Sequence, residues 1–486
     1  MLLSTLIQNS FDVPERWSDL EITGLTADSR DVEPGFLFAA LPGTATDGAK
    51  FVPQALDRGA VAILAPRSVE VDTGDRAVLV AVDNPRKDLA ECAARFYGAQ
   101  PEIAVAVTGT NGKTSVASFV RQIWDALGHR AASVGTIGVV TPDTETPLIH
   151  TTPDPVALHR MLRRLVDDKI EHVALEVSSH GLAQYRADGV RFAAAAFTNI
   201  SRDHLDYHAT FDDYFAQKLR LFSELLVPGT AAVLNADSPD IERVQDVCEA
   251  RDISVFTVGV KGQSLRLKGQ ERVGLGHTVT VVHGGEDYQA SVPLVGDFQV
   301  SNALVAAGLV IATGSDPSHV LRALEKLKGA KGRLDLVGRT ADDAAVFVDY
   351  AHTPDALENA LGALRPYVEG RLVVVFGCGG DRDKGKRPQM GAAAAQFADV
   401  AYVTDDNPRT EDAAEIRREA LAGCPDGIEI GDRAEAIAAA VGGLKAGDIL
   451  LVAGKGHESG QTVGTEVLPF SDHDVVRDVL GEGDPE

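Results

Sequence analysis

Eight consecutive residues, Thr108-Gly109-Thr110-Asn111-Gly112-Lys113-Thr114-Ser115, are of the types that hold phosphate. Glycines let backbone N–H groups face an anion, and a following helix adds the positive end of its dipole. A lysine here reaches β- and γ-phosphates, and a threonine hydroxyl holds Mg²⁺. The flanks suit this use. Ile103–Val107 reads as a buried strand, and the residues up to Leu127 read as a helix. The common pattern G-x-x-x-x-G-K-[ST] does not fit, because Val107 stands where its first glycine belongs and the loop is shorter. The plainer alternative is a turn carrying a surface lysine.

Further candidates follow later strands. Glu176, at the end of the strand-like His172–Val177, is placed where parallel sheets bind ligands, and its carboxylate suits Mg²⁺. A solvated loop acid is the alternative. Asp203-His204-Leu205-Asp206-Tyr207-His208 sets two histidines four apart, but Leu205 replaces the glutamate of H-E-x-x-H, which argues against a zinc protease. Thr210–Leu226 reads as a helix with Thr210 and Asp213 as a capping box. Lys218 lies at the edge of its apolar stripe of Phe211, Phe215, Leu219 and Phe222. Such a lysine either snorkels to solvent or is buried with a chemically altered amine.

Toward the C-terminus, Gly377-Cys378-Gly379-Gly380-Asp381-Arg382 lacks the last glycine of a dinucleotide fingerprint. Four basic residues among Arg382–Arg387 suggest an anion site, with a solvated loop as the alternative. Asp406-Asn407-Pro408-Arg409 and Gly454-Lys455-Gly456-His457-Glu458 each follow a strand. Together they offer an Arg for a carboxylate and acids for an ammonium, which suits a zwitterionic amino acid.

The elements that must position these groups form three blocks. Residues 20–97 mix short strands with Gly/Pro turns, residues 98–333 alternate strands with helices, and residues 334–486 read as a second doubly wound sheet. Within the last block the pattern predicts strands at Leu372–Phe376, Val400–Thr404 and Ile449–Val452, with helices at Arg387–Ala398, Glu411–Ala422 and Arg433–Leu444. Residues 257–290, Gly-rich and polar, carry no functional signal. The 486-residue length implies about three domains. A net charge of −25 repels phosphate backbones and anionic membranes, so neither nucleic acid nor membrane insertion is expected. Four scattered cysteines, no basic leader and no long apolar run predict reduced thiols in a cytoplasm.

The full set resembles one family, the Mur ligases of peptidoglycan synthesis, over nearly all of residues 20–475. The resemblance implies three α/β domains: a uridine-nucleotide-binding domain at 1–97, a P-loop ATPase-like domain at 98–333 and a Rossmann-like domain at 334–486. It implies ATP and Mg²⁺ as cofactors. Gly109, Thr110, Asn111, Gly112, Lys113, Thr114 and Ser115 match the family's short P-loop, and Asn302, Arg333, Asp349 and His352 its other nucleotide contacts. Thr114, Glu176 and His204 match the magnesium set, and Lys218 matches a carbamoylated lysine, which turns an ammonium into a carboxylate at a metal site. Lys113, Lys218 and His204 are thereby the expected catalytic groups. Ala27, Ser29, Thr44, Ala45 and Thr46 fall at the UDP-sugar site, and Thr151, Thr152, Ser178, Gln184 and Arg186 at substrate contacts in the central domain. Arg382, Asp406, Asn407, Pro408, Arg409, Gly454 and Glu458 match the diaminopimelate site, with Asn407 and Glu458 expected at the distal ammonium.

The activity so implied is addition of meso-2,6-diaminopimelate to UDP-N-acetylmuramoyl-L-alanyl-D-glutamate, with ATP consumed. The rivals are a lysine-adding Mur ligase, a folylpolyglutamate synthase-like ligase, and a P-loop nucleotide switch.

Overall fold

A computed structural model describes residues 1–8, 13–43, 47–201, 207–208 and 210–481. The chain divides into two compact units, Met1–Leu267 with Val282–Asp287 and Leu304–Ala323, and Lys268–Val281 with Tyr288–Ala303 and Leu324–Glu486. The strands given below are those among the described residues.

The first unit contains two sheets with separate cores. The smaller is parallel, in the order β1 (Gly24–Thr26), β2 (Phe36–Ala39), β3 (Ala62–Pro66) and β4 (Val78–Val82). Its two faces are covered by different apolar sets, one with Leu37, Leu64 and Val80, the other with Phe38, Ile63 and Ala65. That alternation is the period-2 signature of a strand buried on both sides.

The larger sheet is built on β5 (Ile103–Thr108), β6 (Ala131–Gly135), β7 (Gly138–Val140), β8 (Glu145–Thr146), β9 (His172–Glu176), β10 (Phe192–Phe197), β11 (Ala231–Asn235) and β12 (Ser254–Gly259). Their spatial order is β12-β11-β10-β5-β9-β6-β7-β8. β5 is central, parallel to β9 with Val107 opposite Glu176 and to β10 with Thr108 opposite Phe197. The carboxyl ends of these three strands are thus level, and an open parallel sheet binds ligands at that edge. The helix Lys113–Ala126 packs its Val116, Phe119, Val120 and Ile123 inward at helical spacing. Beyond β12, residues 257–290 are largely strand: β13 (Leu265–Val273), β14 (Gly276–His283) and β15 (Glu286–Val292). Their polar, glycine-rich composition hid this, because strands exposed on one face show only weak alternation.

The second unit carries a sheet in the order β16 (Asp335–Arg339), β17 (Ala345–Asp349), β21 (Ile449–Ala453), β18 (Leu372–Cys378), β19 (Val400–Asp405) and β20 (Ile428–Glu429). All its pairs are parallel except β16 with β17. The expected strands and helices of this block are present within a few residues of their predicted ends. The helix expected from Glu411 starts at Ala413 and runs to Leu421, because the Asp412 carboxylate accepts the N–H groups of Ala414 and Glu415 and so starts it. A hairpin of β22 (Gly460–Val463) and β23 (Glu466–Pro469) follows β21.

One buried ion pair ties this unit together. Arg433, at the start of helix Arg433–Gly442, donates from Nε and Nη2 to the two oxygens of Asp472, both at 2.7 Å, and from Nη2 to the Ala453 carbonyl at 3.0 Å. Both side chains are fully buried. Removing one partner strands the other charge in the core. Asp472→Ala is expected to cost about 3–5 kcal/mol in urea unfolding, whereas the paired replacement Arg433→Met with Asp472→Leu should cost far less.

Candidate functional site

The phosphate loop leaves β5 through Gly109 at φ +143° and enters the helix through Gly112 at φ +86°. Any Cβ at Gly109 would collide with the Thr198 hydroxyl, so only glycine fits. The Asn199 amide brackets Asn111, accepting its N–H at 3.0 Å and donating to its carbonyl at 3.2 Å, while Thr198 Oγ1 donates to that carbonyl at 2.6 Å. Lys113 Nζ donates to the Gly109 and Thr110 carbonyls at 2.9 and 2.7 Å. The loop is closed around its own lysine, which is not a solvated side chain on a turn.

Lys218 does not snorkel. It is 1% exposed, its Nζ donates to the Gly109 carbonyl at 2.7 Å, and it lies 4.5 Å from the Tyr214 ring centroid. Tyr214 OH in turn is 3.0 Å from Thr110 Oγ1. The helix that delivers Lys218 begins at Phe211 and is capped by Thr210, whose hydroxyl accepts the Asp213 N–H at 3.1 Å. It runs as α-helix to Arg220 and continues as one π-turn to Leu225.

Glu176 is 3% exposed at the end of β9. Its carboxylate accepts from Thr114 Oγ1 at 3.0 Å, from the Thr136 N–H at 2.9 Å and from Thr136 Oγ1 at 3.2 Å. It is therefore a positioned group of the loop's own network and not a solvated acid. Thr136 Oγ1 continues to Thr151 Oγ1 at 3.0 Å, and Thr152 Oγ1 bonds the Glu176 carbonyl at 3.0 Å and the Ser178 N–H at 3.1 Å. Arg186 donates to the Thr152 carbonyl and to Gln184 Oε1, both at 2.8 Å. Thus two branches lead from Glu176, one through Thr136 to Thr151 and one through Thr152 to Ser178, Arg186 and Gln184. His208 is buried and 3.0 Å from Ser179 Oγ, a packing role. In the smaller sheet Ala27 is exposed, and Ser29 is buried with its hydroxyl 2.9 Å from Gln54 Oε1. His204, Thr44, Ala45 and Thr46 lie outside the described residues.

A separate group of candidates lies in the second unit. Asn302 is buried and donates to Gln299 Oε1 at 3.0 Å, and Gln299 donates to the Arg333 carbonyl at 3.3 Å. The Arg333 guanidinium is 5.0 Å from the Tyr350 ring centroid. Asp349 caps the turn after β17 and the chain at Leu334, accepting the Ala351 N–H at 2.8 Å and the Leu334 N–H at 2.6 Å. His352 Nδ1 is 2.8 Å from the Tyr350 carbonyl.

Asp406, Asn407 and Pro408 are buried, and Arg409 is half-buried at φ +51° with Nη1 2.8 Å from the Gly380 carbonyl. Asn407 Nδ2 donates to Glu458 Oε2 at 3.0 Å, and Asn407 Oδ1 accepts from the Thr462 N–H at 2.9 Å and from Lys455 Nζ at 3.2 Å. Both lone pairs of that oxygen are used, so of the two residues expected at an ammonium, Glu458 retains acceptor capacity and Asn407 retains an N–H. Gly454, at φ +120°, brings the chain so close that a Cβ would lie 2.8 Å from Asp406 Oδ2. Arg382 is exposed.

The basic run Arg382–Arg387 is mostly spent internally, contrary to its reading as an anion site. Arg387 is fully buried and donates to Glu411 and Glu419, Lys384 reaches Glu411 at 2.9 Å, and Lys386 donates to the His352 carbonyl at 3.0 Å.

Three family models cover most of the chain: Mur ligase family, catalytic domain (residues 21–97), Mur ligase middle domain (107–310) and Mur ligase, glutamate ligase domain (332–456). A UDP-N-acetylmuramoyl-L-alanyl-D-glutamate--2,6-diaminopimelate ligase of Agrobacterium fabrum is 54% identical over 95% of this chain and 94% of its own. The chain belongs to the Mur ligase family. The relative of the same name from Bradyrhizobium diazoefficiens is 53% identical over 99% of both chains. A solved structure titled as that ligase matches with a TM-score of 0.75 at 32% identity, covering 99% of each chain. The three-domain α/β architecture of Mur ligases is therefore that of this chain.

Reading residues alone missed several partners of this Mur ligase's candidate site residues. Tyr214 stands four before Lys218 on one helix, a spacing that could have paired them. Thr136 and Asn199 had no local signal, since each reaches the loop only through the sheet. Glu411 and Lys455 sat inside or beside motifs but acquire partners only in the fold.

Glu411 generates a pH prediction. Arg387 and Lys384 hold its carboxyl well below the usual 4.5, at about 2. A depressed acid stabilises the fold above the unfolded value, and that contribution is lost as pH falls from 4.5 to about 2. Glu411→Gln should lower the urea midpoint at pH 7, and the gap to wild type should narrow progressively below pH 4.5. A gap that stays constant down to pH 2.5 would rule the pairing out as a source of stability.

Proposed function

We propose that this chain is the ATP-dependent ligase that joins meso-2,6-diaminopimelate to the D-glutamate of UDP-N-acetylmuramoyl-L-alanyl-D-glutamate. The observation that carries this reading is 54% identity over 95% of the chain to a relative named for that reaction. The γ-phosphoryl group of ATP passes to the D-glutamate γ-carboxylate, giving an acyl phosphate and ADP. The amine at the L-centre of diaminopimelate then attacks the acyl carbon, an amide forms and phosphate leaves. The enzyme works in the cytoplasm, in peptidoglycan synthesis, and neither nucleic acid nor membrane insertion has a part. No helix among the described residues is long and apolar enough to cross a membrane.

Residues 1–97 bind the UDP-sugar through Ala27, Ser29 and Thr44–Thr46, residues 98–333 bind ATP, and residues 334–486 bind the amino acid. In the loop, backbone N–H groups and Lys113 take the phosphates, and Lys113 exchanges its two carbonyl partners for phosphate oxygens. Asn302, Arg333, Asp349 and His352 hold the rest of the nucleotide. The donor set beside the loop is hard oxygen, which suits Mg²⁺. Thr114 and Glu176, 3.0 Å apart, would hold it with His204 and a carbamoylated Lys218. Bound there, the ion would neutralise charge on the transferring phosphoryl group. Carbamoylation replaces a buried ammonium with an anionic oxygen donor beside that ion, which explains a lysine on this helical face. Thr151, Thr152, Ser178, Gln184 and Arg186 receive the peptide end of the precursor.

In the third domain Arg382 takes the carboxylate next to the attacking amine. Gly454 and Asp406 shape the pocket, Glu458 takes the distal ammonium, and Arg409 takes the distal carboxylate in two parallel hydrogen bonds. Lysine lacks that carboxylate and would leave Arg409 unmatched.

ADP release should require both co-substrates, whereas a nucleotide switch would need neither. Product mass should show meso-diaminopimelate incorporated and L-lysine poorly used. Equal use of L-lysine would move the chain to the lysine-adding branch. Arg409→Ala should raise KM for meso-diaminopimelate by at least about tenfold, with KM for ATP little changed. Lys218→Ala should lower kcat by about 10²-fold or more, and intact-protein mass under bicarbonate should show an added carbamate on the wild type only. A fully active Lys218→Ala would remove Lys218 from the mechanism.

A further inference from the structure

We propose that Lys455 is a positioning residue for the incoming amino acid, locking the Asn407 amide and the Glu458 carboxylate in one orientation before substrate arrives. The inference rests on the reading that Asp406–Arg409 and Glu458 form the amino-acid site.

Lys455 is fully buried, unusual for a lysine, and its ammonium has two side-chain partners: Asn407 Oδ1 at 3.2 Å and Glu458 Oε2 at 2.9 Å. The backbone on either side leaves it little choice. Gly454 and Gly456 have φ of +120° and +55°, and a Cβ at Gly456 would lie 2.7 Å from the Tyr350 Cβ. The chain is pressed against Asp406 and Tyr350, and the lysine between these glycines is wholly inside.

An ammonium only donates, and that fact fixes the amide. Asn407 Oδ1 faces two donors, Lys455 Nζ and the Thr462 N–H, and Asn407 Nδ2 faces one acceptor, Glu458 Oε2. Flipping the amide would set NH₂ against two donors and a carbonyl against a carboxylate. One orientation alone satisfies every group, so Asn407 presents a spare N–H and no spare acceptor. Glu458 is fixed by the same ammonium. Its Oε2 takes both Asn407 and Lys455, which assigns Oε1 to the ligand. Lys455 also offsets the Glu458 charge while that carboxylate has no ammonium to bind. The site then offers a donor, an anionic acceptor and a guanidinium in fixed places, matching an amino acid whose far end carries both a carboxylate and an ammonium.

A lysine serving only fold stability would affect all substrates alike or none. The test is steady-state kinetics on the full chain, varying each co-substrate in turn, for Lys455→Met, Lys455→Arg, Glu458→Gln and the Lys455→Met/Glu458→Gln pair. Lys455→Met should raise KM for meso-diaminopimelate on the order of tenfold while KM for ATP and for the UDP-linked precursor stay near wild type. Lys455→Arg, which keeps the charge, should recover part of the loss. In the Glu458→Gln background, Lys455→Met should add much less than it does alone, because both act on the same contact. Equal rises in all three KM values, full additivity, or an unchanged KM for meso-diaminopimelate would overturn the proposal. Should Lys455→Met fail to fold, Lys455→Arg decides: a selective KM effect supports the positioning role, and wild-type kinetics or a general loss overturns it. Arg409→Ala separates the two levels. If it leaves KM for meso-diaminopimelate unchanged, the assignment of the site fails and the role of Lys455 falls with it. If it raises KM while Lys455→Met does not, only the role of Lys455 fails.

Discussion

Two ammonium groups converge on one carbonyl oxygen, that of Gly109, with Lys113 at 2.9 Å and Lys218 at 2.7 Å. Sharing that carbonyl fixes both side chains against the loop. On the proposed reading, phosphate oxygens would replace the carbonyl partners of Lys113, and a carbamate would replace the ammonium of Lys218. Everything else in the loop serves to hold that carbonyl in place. The Gly109 backbone is at φ +143°, open only to glycine, and Thr198 and Asn199 fill the space a side chain would need. Tyr214 packs its ring near one ammonium and ties its hydroxyl to Thr110.

The acid beside the loop comes from the neighbouring strand. Because Val107 pairs with Glu176, the strand that launches the loop also sets the height of the carboxylate beside it. Glu176 holds the Thr114 hydroxyl and the Thr136 hydroxyl and N–H, so the first helical turn, the sheet and the loop share one acid. The acid is thereby fixed at one height beside the loop, and phosphoryl transfer needs its polar groups prearranged, since the protein does little covalent chemistry in such a step.

Much of this was legible in the residues because the chemistry is local. A strand, a glycine loop and a helix lie within about twenty-five residues, and Thr210 announces the helix that carries Lys218. The doubly wound third block was legible for the same reason, since its strands are short apolar runs bounded by turns. Two kinds of feature were not. Long-range partners such as Thr136 to Glu176, or Asn199 to Asn111, depend on sheet register, which no local pattern encodes. The competition for charge was also hidden. The run Arg382–Arg387 reads as an anion site until Glu411, just before the next helix, and Glu419, on it, take up Lys384 and Arg387. A basic cluster in sequence is a supply of donors, and only the fold says who takes them.

Arg409 shows how such hidden partners fix a side chain. A non-glycine residue at φ +51° carries a penalty of roughly 1 kcal/mol. The strain is offset by backbone bonds to the β22–β23 hairpin: the Arg409 N–H to the Thr462 carbonyl at 3.0 Å and the Gly464 N–H to the Arg409 carbonyl at 2.7 Å. The same hairpin bonds the Asn407 amide through the Thr462 N–H and the Asp406 carbonyl through Gln461. Its outward side chains, Val463, Val467 and Leu468, are exposed, so apolar burial is not what holds it in place. Its contribution is a row of backbone donors and acceptors laid along the Asp406–Arg409 turn. A guanidinium on a freely turning loop could follow a carboxylate or an unrelated anion. Held by a strained backbone and by the Gly380 carbonyl at 2.8 Å, it would meet only a carboxylate presented at one place, and on the proposed reading selectivity between two amino acids that differ by that single group would be a property of the hairpin as much as of the arginine.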